Sequence, residues 1–228
     1  MTTSGTYAFV PSVGELTLYA YNLIEIRNTS IVQEHLQTAR MAVNMLLASW
    51  ANQGVNLWAV ELVTVPLVQG TTTYSVDGST VMILDAYIET VSATSTVDRP
   101  ILPISRTEYA TYPNKQQQGF PTVFWFDRLI APTVTIWPVP DGTQTYLKYY
   151  RVRQIQDASL AGAQTPEIPY LWLEAFSFGL AFRLALIWNA AKAAIFKPLA
   201  DEAYLIASSQ NVESSNFYIA PMVGGYYS

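Results

Sequence analysis

The sequence predicts an α+β protein: a discontinuous helical bundle from the N- and C-terminal parts of the chain, with an inserted antiparallel β domain. Three observations carry this. Residues 12–52 hold helix-start signals followed by apolar residues at spacings of three and four. Residues 59–154 change to strand-like alternation broken by turn residues, and from residue 166 the helical pattern returns. The expected division is 1–58 for the first part of the bundle, 59–165 for the β-rich insert, 166–210 for the second part of the bundle and 211–228 for an extended C-terminal arm.

The first helix starts at Ser12, whose hydroxyl forms a capping box with the carboxylate of Glu15, and it is expected to run to about Arg27. Ser30 and Gln33 offer the same device for a second helix, in which Val32, Leu36, Ala39, Val43, Leu46 and Trp50 form one apolar stripe. Gly54 tolerates the left-handed conformation that ends helices, which places the stop near Asn52. Residues 59–68, 72–76 and 81–91 are then separated by Gln69-Gly70 and Asp77-Gly78 and read as three strands of a meander. Along the third, Leu84, Ala86 and Ile88 fall on one face and Asp85, Tyr87 and Glu89 on the other. Ser105 and Glu108 cap a short helix.

Residues 119–142, GFPTVFWFDRLIAPTVTIWPVPDG, spell a rigid aromatic hairpin: strand residues 122–129, an interruption at Ala131-Pro132, strand residues 133–137 and a turn over Pro140, Asp141 and Gly142. Residues 145–154 add a further strand. The next helix, 170–189, carries small residues Ser177, Ala181 and Ala185 every four positions beside a bulky row of Leu173, Phe176, Leu180 and Leu184, so it needs neighbours on several sides. Pro198 suits the first position of a last helix, with Asp201 and Glu202 near its positive end, and that helix is expected to end by Ser214. The tail beyond it mixes glycine with aromatic residues, a composition that fits a peptide ordering on a partner.

Composition narrows the function. Twelve basic residues against seventeen acidic ones, net charge −5, argue against a surface that grips nucleic-acid phosphates. With no cysteine there is no disulfide framework and no thiolate metal site. Charged residues amount to 13%, as do aromatic ones, which leaves apolar surface for burial against other subunits and points to an oligomer. The first residues lack a signal-peptide pattern, so cytoplasmic synthesis is expected. Residues 170–188 approach the length of a membrane span, but Glu174 and Arg183 would each cost about 2.5–3.5 kcal/mol near a bilayer centre, so the helix reads as buried in protein.

Catalytic equipment is sparse. His35 is the sole histidine and, beside Glu34, reads as a surface residue; Arg151 and Arg153 read as paired or solvated charge, and Trp125, Trp137 and Trp172 as core or interface fillers. No phosphate-binding GxxxxGK loop, HExxH or metal-spaced cluster occurs, so neither cofactor nor metal site is expected and the chain reads as no enzyme. The alternative, a peptidoglycan (glycoside) hydrolase, would draw its two carboxyl groups from Glu61, Asp85, Glu89, Glu108 and Asp127.

Taken in order, several landmarks resemble the head-to-tail adaptor family of tailed phages, also called tail accessory factors, tail tubular proteins A or packaged-DNA stabilisation proteins. They are Asn44, Trp50, Gly54, Asn56 and Trp58 at a helix end, Gly70 with Tyr74, Gly119 and Pro121 leading into the hairpin, Trp137, Pro138, Pro140 and Asp141 leading out of it, and the run IPYLWLEAFSFGLAFRLA at 168–185. The resemblance spans nearly the whole chain. It implies a structural protein of the virion neck, assembled in the host cytoplasm: a ring of about twelve copies beneath the portal, unlike face to unlike face. Such a ring joins the portal to the tail nozzle, continues the DNA channel and helps retain packaged DNA, with no sequence-specific DNA binding and no membrane contact. It further implies that Phe217, Tyr218, Ile219, Pro221, Tyr226 and Tyr227 belong to a portal-docking arm and that the β region faces the nozzle. On the 170–189 helix, Leu173, Ser177, Leu180, Ala181 and Ala185 are the expected ring interface. The smallest members of the family are mostly helical, so the long β insert leaves nozzle contacts unassigned by residue.

Overall fold

Helices from both ends of the chain share one hydrophobic core, and strands from its middle share another. The computed structural model describes residues 3–54, 56–159 and 163–212. The first core gathers α1 (Val13–Leu23), α2 (Gln33–Ala51), α4 (Leu173–Trp188) and α5 (Ala190–Ser209). α4 lies among the other three, with Phe176, Leu180 and Leu184 fully buried, each such side chain contributing about 1.5–3 kcal/mol. α2 runs antiparallel to it: His35 stacks on Trp188 with centroids 4.1 Å apart, and Trp50 meets Trp172 at 5.1 Å. The expected helical bundle from the two ends of the chain is thus present.

Helix boundaries follow local chemistry more closely than the sequence suggested. The Ser12–Glu15 capping box is present, with the Ser12 N–H donating to the Glu15 carboxylate at 2.8 Å and the Glu15 N–H to Ser12 Oγ at 3.2 Å. α1 stops at Leu23, short of Arg27, because Glu25 takes a left-handed φ of 68° and the Ile26 N–H turns back to the Tyr21 carbonyl. α2 begins at Gln33, not at Ser30. Residues Asn28–Ser30 form a 3₁₀ turn, and His35 Nδ1 accepts the Val32 N–H at 3.4 Å, so an imidazole caps the helix where a hydroxyl was expected. As a result Val32 and Leu36 are exposed, and the buried stripe starts at Ala39. α5 begins at Ala190 and holds Pro198 in its interior, where the ring removes one N–H bond. The alanine-rich turns before it favour helix, and Phe196 packs against Phe178 of α4, so the helix continues past the proline to Ser209.

The second core lies within a seven-stranded sheet of order β1-β7-β3-β4-β5-β6-β2. Its strands are β1 (Val60–Pro66), β2 (Thr73–Ser75), β3 (Thr80–Val91), β4 (Thr96–Pro103), β5 (Val123–Asp127), β6 (Thr133–Trp137) and β7 (Tyr146–Arg153), with α3 (Arg106–Thr111) between β4 and β5. The expected meander of the first three strands is absent. β7 inserts between β1 and β3, and β2 pairs with β6 at the opposite edge, where Thr73 and Thr135 hydroxyls meet at 3.1 Å. Turn residues mark where strands end and leave their neighbours undetermined. β4 was not foreseen: Pro100 and Pro103 disguise it, yet it pairs along β3 and touches β5 only at Leu102 and Pro103. The β5–β6 hairpin is present, in register from Val123 opposite Trp137 to Asp127 opposite Thr133. Because Tyr74 of β2, Ile88 of β3 and Leu147 of β7 bury into one cluster, the sheet curls upon itself.

Candidate assembly surfaces

Four of the five residues expected at a ring interface lie inside this chain's own bundle. Ser177, Leu180, Ala181 and Ala185 are buried and Leu173 is half-buried, so the small-residue row of α4 admits helices of the same chain. Ser177 Oγ is spent on the Leu173 carbonyl at 2.8 Å. Beside this row, Gly179 lets α2 approach closely, since a Cβ there would stand 3.0 Å from Leu46 Cδ1. The surface that α4 leaves open is at Leu186 and Ile187, both exposed.

Large apolar side chains are exposed elsewhere on the bundle. Met41 and Met45 face outward from α2; Ile195, Leu199, Leu205 and Ile206 do so from α5. The helical periodicity of α5 held a signal for this face, because Ile195, Leu199 and Ile206 repeat at helical spacing outside the buried set of Ala193, Phe196, Ala203 and Ala207. Between α2 and α5, on the face of α4, lies a cavity of about 130 Å³ lined among others by Ser49, Gln53, Arg183, Lys197 and Asp201. Lys197 pairs with Asp201. Arg183 makes no ion pair or hydrogen bond among the described residues, and burial pulls its guanidinium below its ordinary value.

In the β region the hairpin landmarks form a braced unit. Pro121 and Pro140 are buried, Pro138 follows a cis peptide bond after Trp137, and the Gly119 N–H donates to the Val139 carbonyl at 2.8 Å. Asp141 accepts from the Thr143 N–H at 3.0 Å, which closes the turn over Gly142 at its φ of 95°; these bonds hold the Asp141 carboxyl below the usual range. On the outside, Trp137 stacks on Tyr112 at 4.3 Å and Trp125 lies against Tyr109 at 5.7 Å. The Trp137 indole N–H donates to the Asn114 carbonyl at 3.0 Å. Among the described residues neither Asp127 nor Arg128 joins a salt bridge. The loop between β5 and β6 ends in Leu129 and a fully exposed Ile130.

Charged residues cluster where sheet meets bundle. Glu61 of β1 accepts from Arg151 Nε at 2.7 Å and lies 3.3 Å from Arg153 Nε, while Arg151 also reaches Asp77 at 3.3 Å and Arg153 forks onto Glu167. The Arg153 hydrogen bonds, with the Gln156 N–H, hold the Glu167 carboxyl below its usual range. Glu89 pairs with Lys148. Two of the carboxylates considered for glycan hydrolysis, Glu61 and Glu89, are therefore bound to cations of the same sheet. Among the described residues no group of three or more His, Asp or Glu could hold a metal ion. His35 is no free surface imidazole: besides capping α2 it packs between Tyr21 and Trp188.

Tyr170–Trp188 is long and apolar enough to cross a membrane, at mean hydropathy 1.5, and half of that window is buried in the bundle. Phe217, Tyr218, Ile219, Pro221, Tyr226 and Tyr227, the expected portal-docking residues, lie outside the described residues. A family model described as SU10 adaptor protein matches residues 14–220, a span that takes in nearly all of the bundle and the whole curled sheet. No curated protein matches the chain.

Proposed function

The chain belongs to the SU10 adaptor protein family, a family of phage head-tail adaptor-like proteins, and from that premise we propose that it is a connector of the virion neck. Copies assemble side by side into a ring of about twelve, bound to the portal above and to the tail nozzle below. The ring continues the DNA channel and helps retain the packaged genome without reading its sequence, and it assembles in the host cytoplasm. The observation that carries this reading is the family match along nearly the full chain. Supporting it are a bundle with large apolar side chains left on outer helix faces and a net charge of −5 that disfavours phosphate binding. In this reading the labour is divided between the two cores: the bundle with residues 211–228 serves the portal and neighbouring copies, and the curled sheet, with the exposed Leu129 and Ile130 at its β5–β6 tip, serves the nozzle.

The test is reconstitution. Purified protein mixed with its portal should form a collar of about twelve subunits by electron microscopy, and deletion of residues 211–228 should abolish it. A portal that stays bare with the full-length protein overturns the reading.

A further inference from the structure

Two features of the bundle complement each other. One is the cavity over α4, whose Arg183 guanidinium lacks a partner among the described residues and whose α2 flank carries the exposed Met45. The other is the outer face of α5, where Ile195, Leu199 and Ile206 are exposed and Glu202, exposed and in no salt bridge among the described residues, falls between them. At 3.6 residues per turn, Lys197, Ala200, Asp201 and Tyr204, which line the cavity, lie half a turn around α5 from Ile195, Leu199, Glu202 and Ile206. One copy therefore presents the cavity and the stripe on opposite sides.

We propose that the α5 stripe of one copy packs over the α2–α5 cavity of the next, with the Glu202 carboxylate on the Arg183 guanidinium and the apolar stripe against Met45. The occupant is a second copy because the stripe supplies what the cavity lacks: a carboxylate flanked by apolar side chains at helical spacing. A half-buried guanidinium without a counter-charge is costly, and a planar two-oxygen acceptor matches its donors. Methionine adapts its shape to an incoming stripe. Since cavity and stripe are different surfaces, each copy accepts one neighbour and offers itself to another, the arrangement that closes into rings when the rotation permits. This rests on the adaptor reading for its biological setting, but its contact is testable without the portal.

The chain has no cysteine, so Met45→Cys with Leu199→Cys introduces one thiol on each of the two surfaces. Mild oxidation of this protein, at high concentration and again with portal added, should give a covalent ladder beyond the dimer. The pairing Met45→Cys with Ile130→Cys should not. On the ladder-forming background, Arg183→Glu or Glu202→Arg should each reduce the yield roughly tenfold, and the double exchange should restore it. Circular dichroism checks that each variant is folded. No ladder under either condition, or no rescue by the double exchange, overturns the contact. The adaptor reading falls separately, if the unmodified protein leaves its portal bare.

Discussion

Asn44 holds Ala158 by both of its backbone groups: its side-chain amide donates to the Ala158 carbonyl at 3.2 Å, and its side-chain oxygen accepts the Ala158 N–H at 2.8 Å. A side chain on α2 thus stands in for a strand neighbour just after β7, where the chain leaves the sheet for the bundle. Ala158 is buried in the bundle core, so water cannot replace these bonds. Asn44→Leu should lower unfolding free energy by about 2 kcal/mol, read from urea denaturation. A loss below a few tenths of that would show that the two ends of the bundle are joined by other means.

The approach of α2 to α4 at Gly179 is a second point of tension. Gly179→Ala gains about 1 kcal/mol of helix propensity but forces Leu46, itself buried, to give way. Leu46→Ala alone should cost about 2–5 kcal/mol by opening a cavity. Adding Gly179→Ala to that variant should recover part of the loss, since the new methyl enters the vacated space. A double-mutant cycle showing simple additivity would refute the packing account.

Alkaline pH should loosen the bundle. Burial pushes the Tyr21 hydroxyl from 10.0 up to about 12, so the folded state favours the protonated form. Its contribution is complete below the ordinary value and is lost as pH rises through the folded one, between about 10 and 12. Tm should fall across that window, and the fall should be shallower in Tyr21→Phe. Buried Tyr74 and Tyr149 and half-buried Tyr204 are raised for the same reason and contribute to the part that persists.

Acid acts at the join of sheet and bundle. The folded Glu167 carboxyl is held below 4.5 by Arg153, so its stabilisation is present above that value and is lost as pH falls through the lower folded one. Glu167→Gln should be less stable than wild type at neutral pH and should show a flatter decline below pH 4.5, measured by thermal melts from pH 7 to pH 3.

The β5–β6 tip should separate binding from folding. Leu129 and Ile130 are exposed, so Leu129→Asp with Ile130→Asp should change stability by about 0.5 kcal/mol or less. Collars on the portal should form normally and then fail to recruit the nozzle. Normal recruitment would show that the sheet meets the nozzle elsewhere.

The sequence revealed local features more readily than distant pairings. The Ser12–Glu15 cap, the β5–β6 hairpin and the buried rows of α4 were legible because each depends on residues a few positions apart. β4 was hidden by Pro100 and Pro103, and the insertion of β7 between β1 and β3 joins residues roughly sixty to ninety positions apart, beyond the reach of periodicity. His35 was misread because a lone imidazole gives no hint of the Tyr21 and Trp188 rings it lies between. The α4 row misled more instructively. Small residues every four positions do announce a close neighbour, but not whether that neighbour belongs to the same chain. Arg183 stood out only as a charge within an apolar run, and its open cavity needed the positions of α2 and α5.

The placement of β7 has a mechanical meaning. The chain leaves the bundle through β1 and returns through β7, and these adjacent strands meet the helices at the same end, near Val60 and Val152. A pull on the far sheet, directed along the strands away from the bundle, therefore acts to slide β7 past β3. The rungs between those strands are strained together in shear instead of being peeled one at a time. Where two large assemblies tug on opposite ends of a small protein, that geometry lets the sheet carry load as a tether.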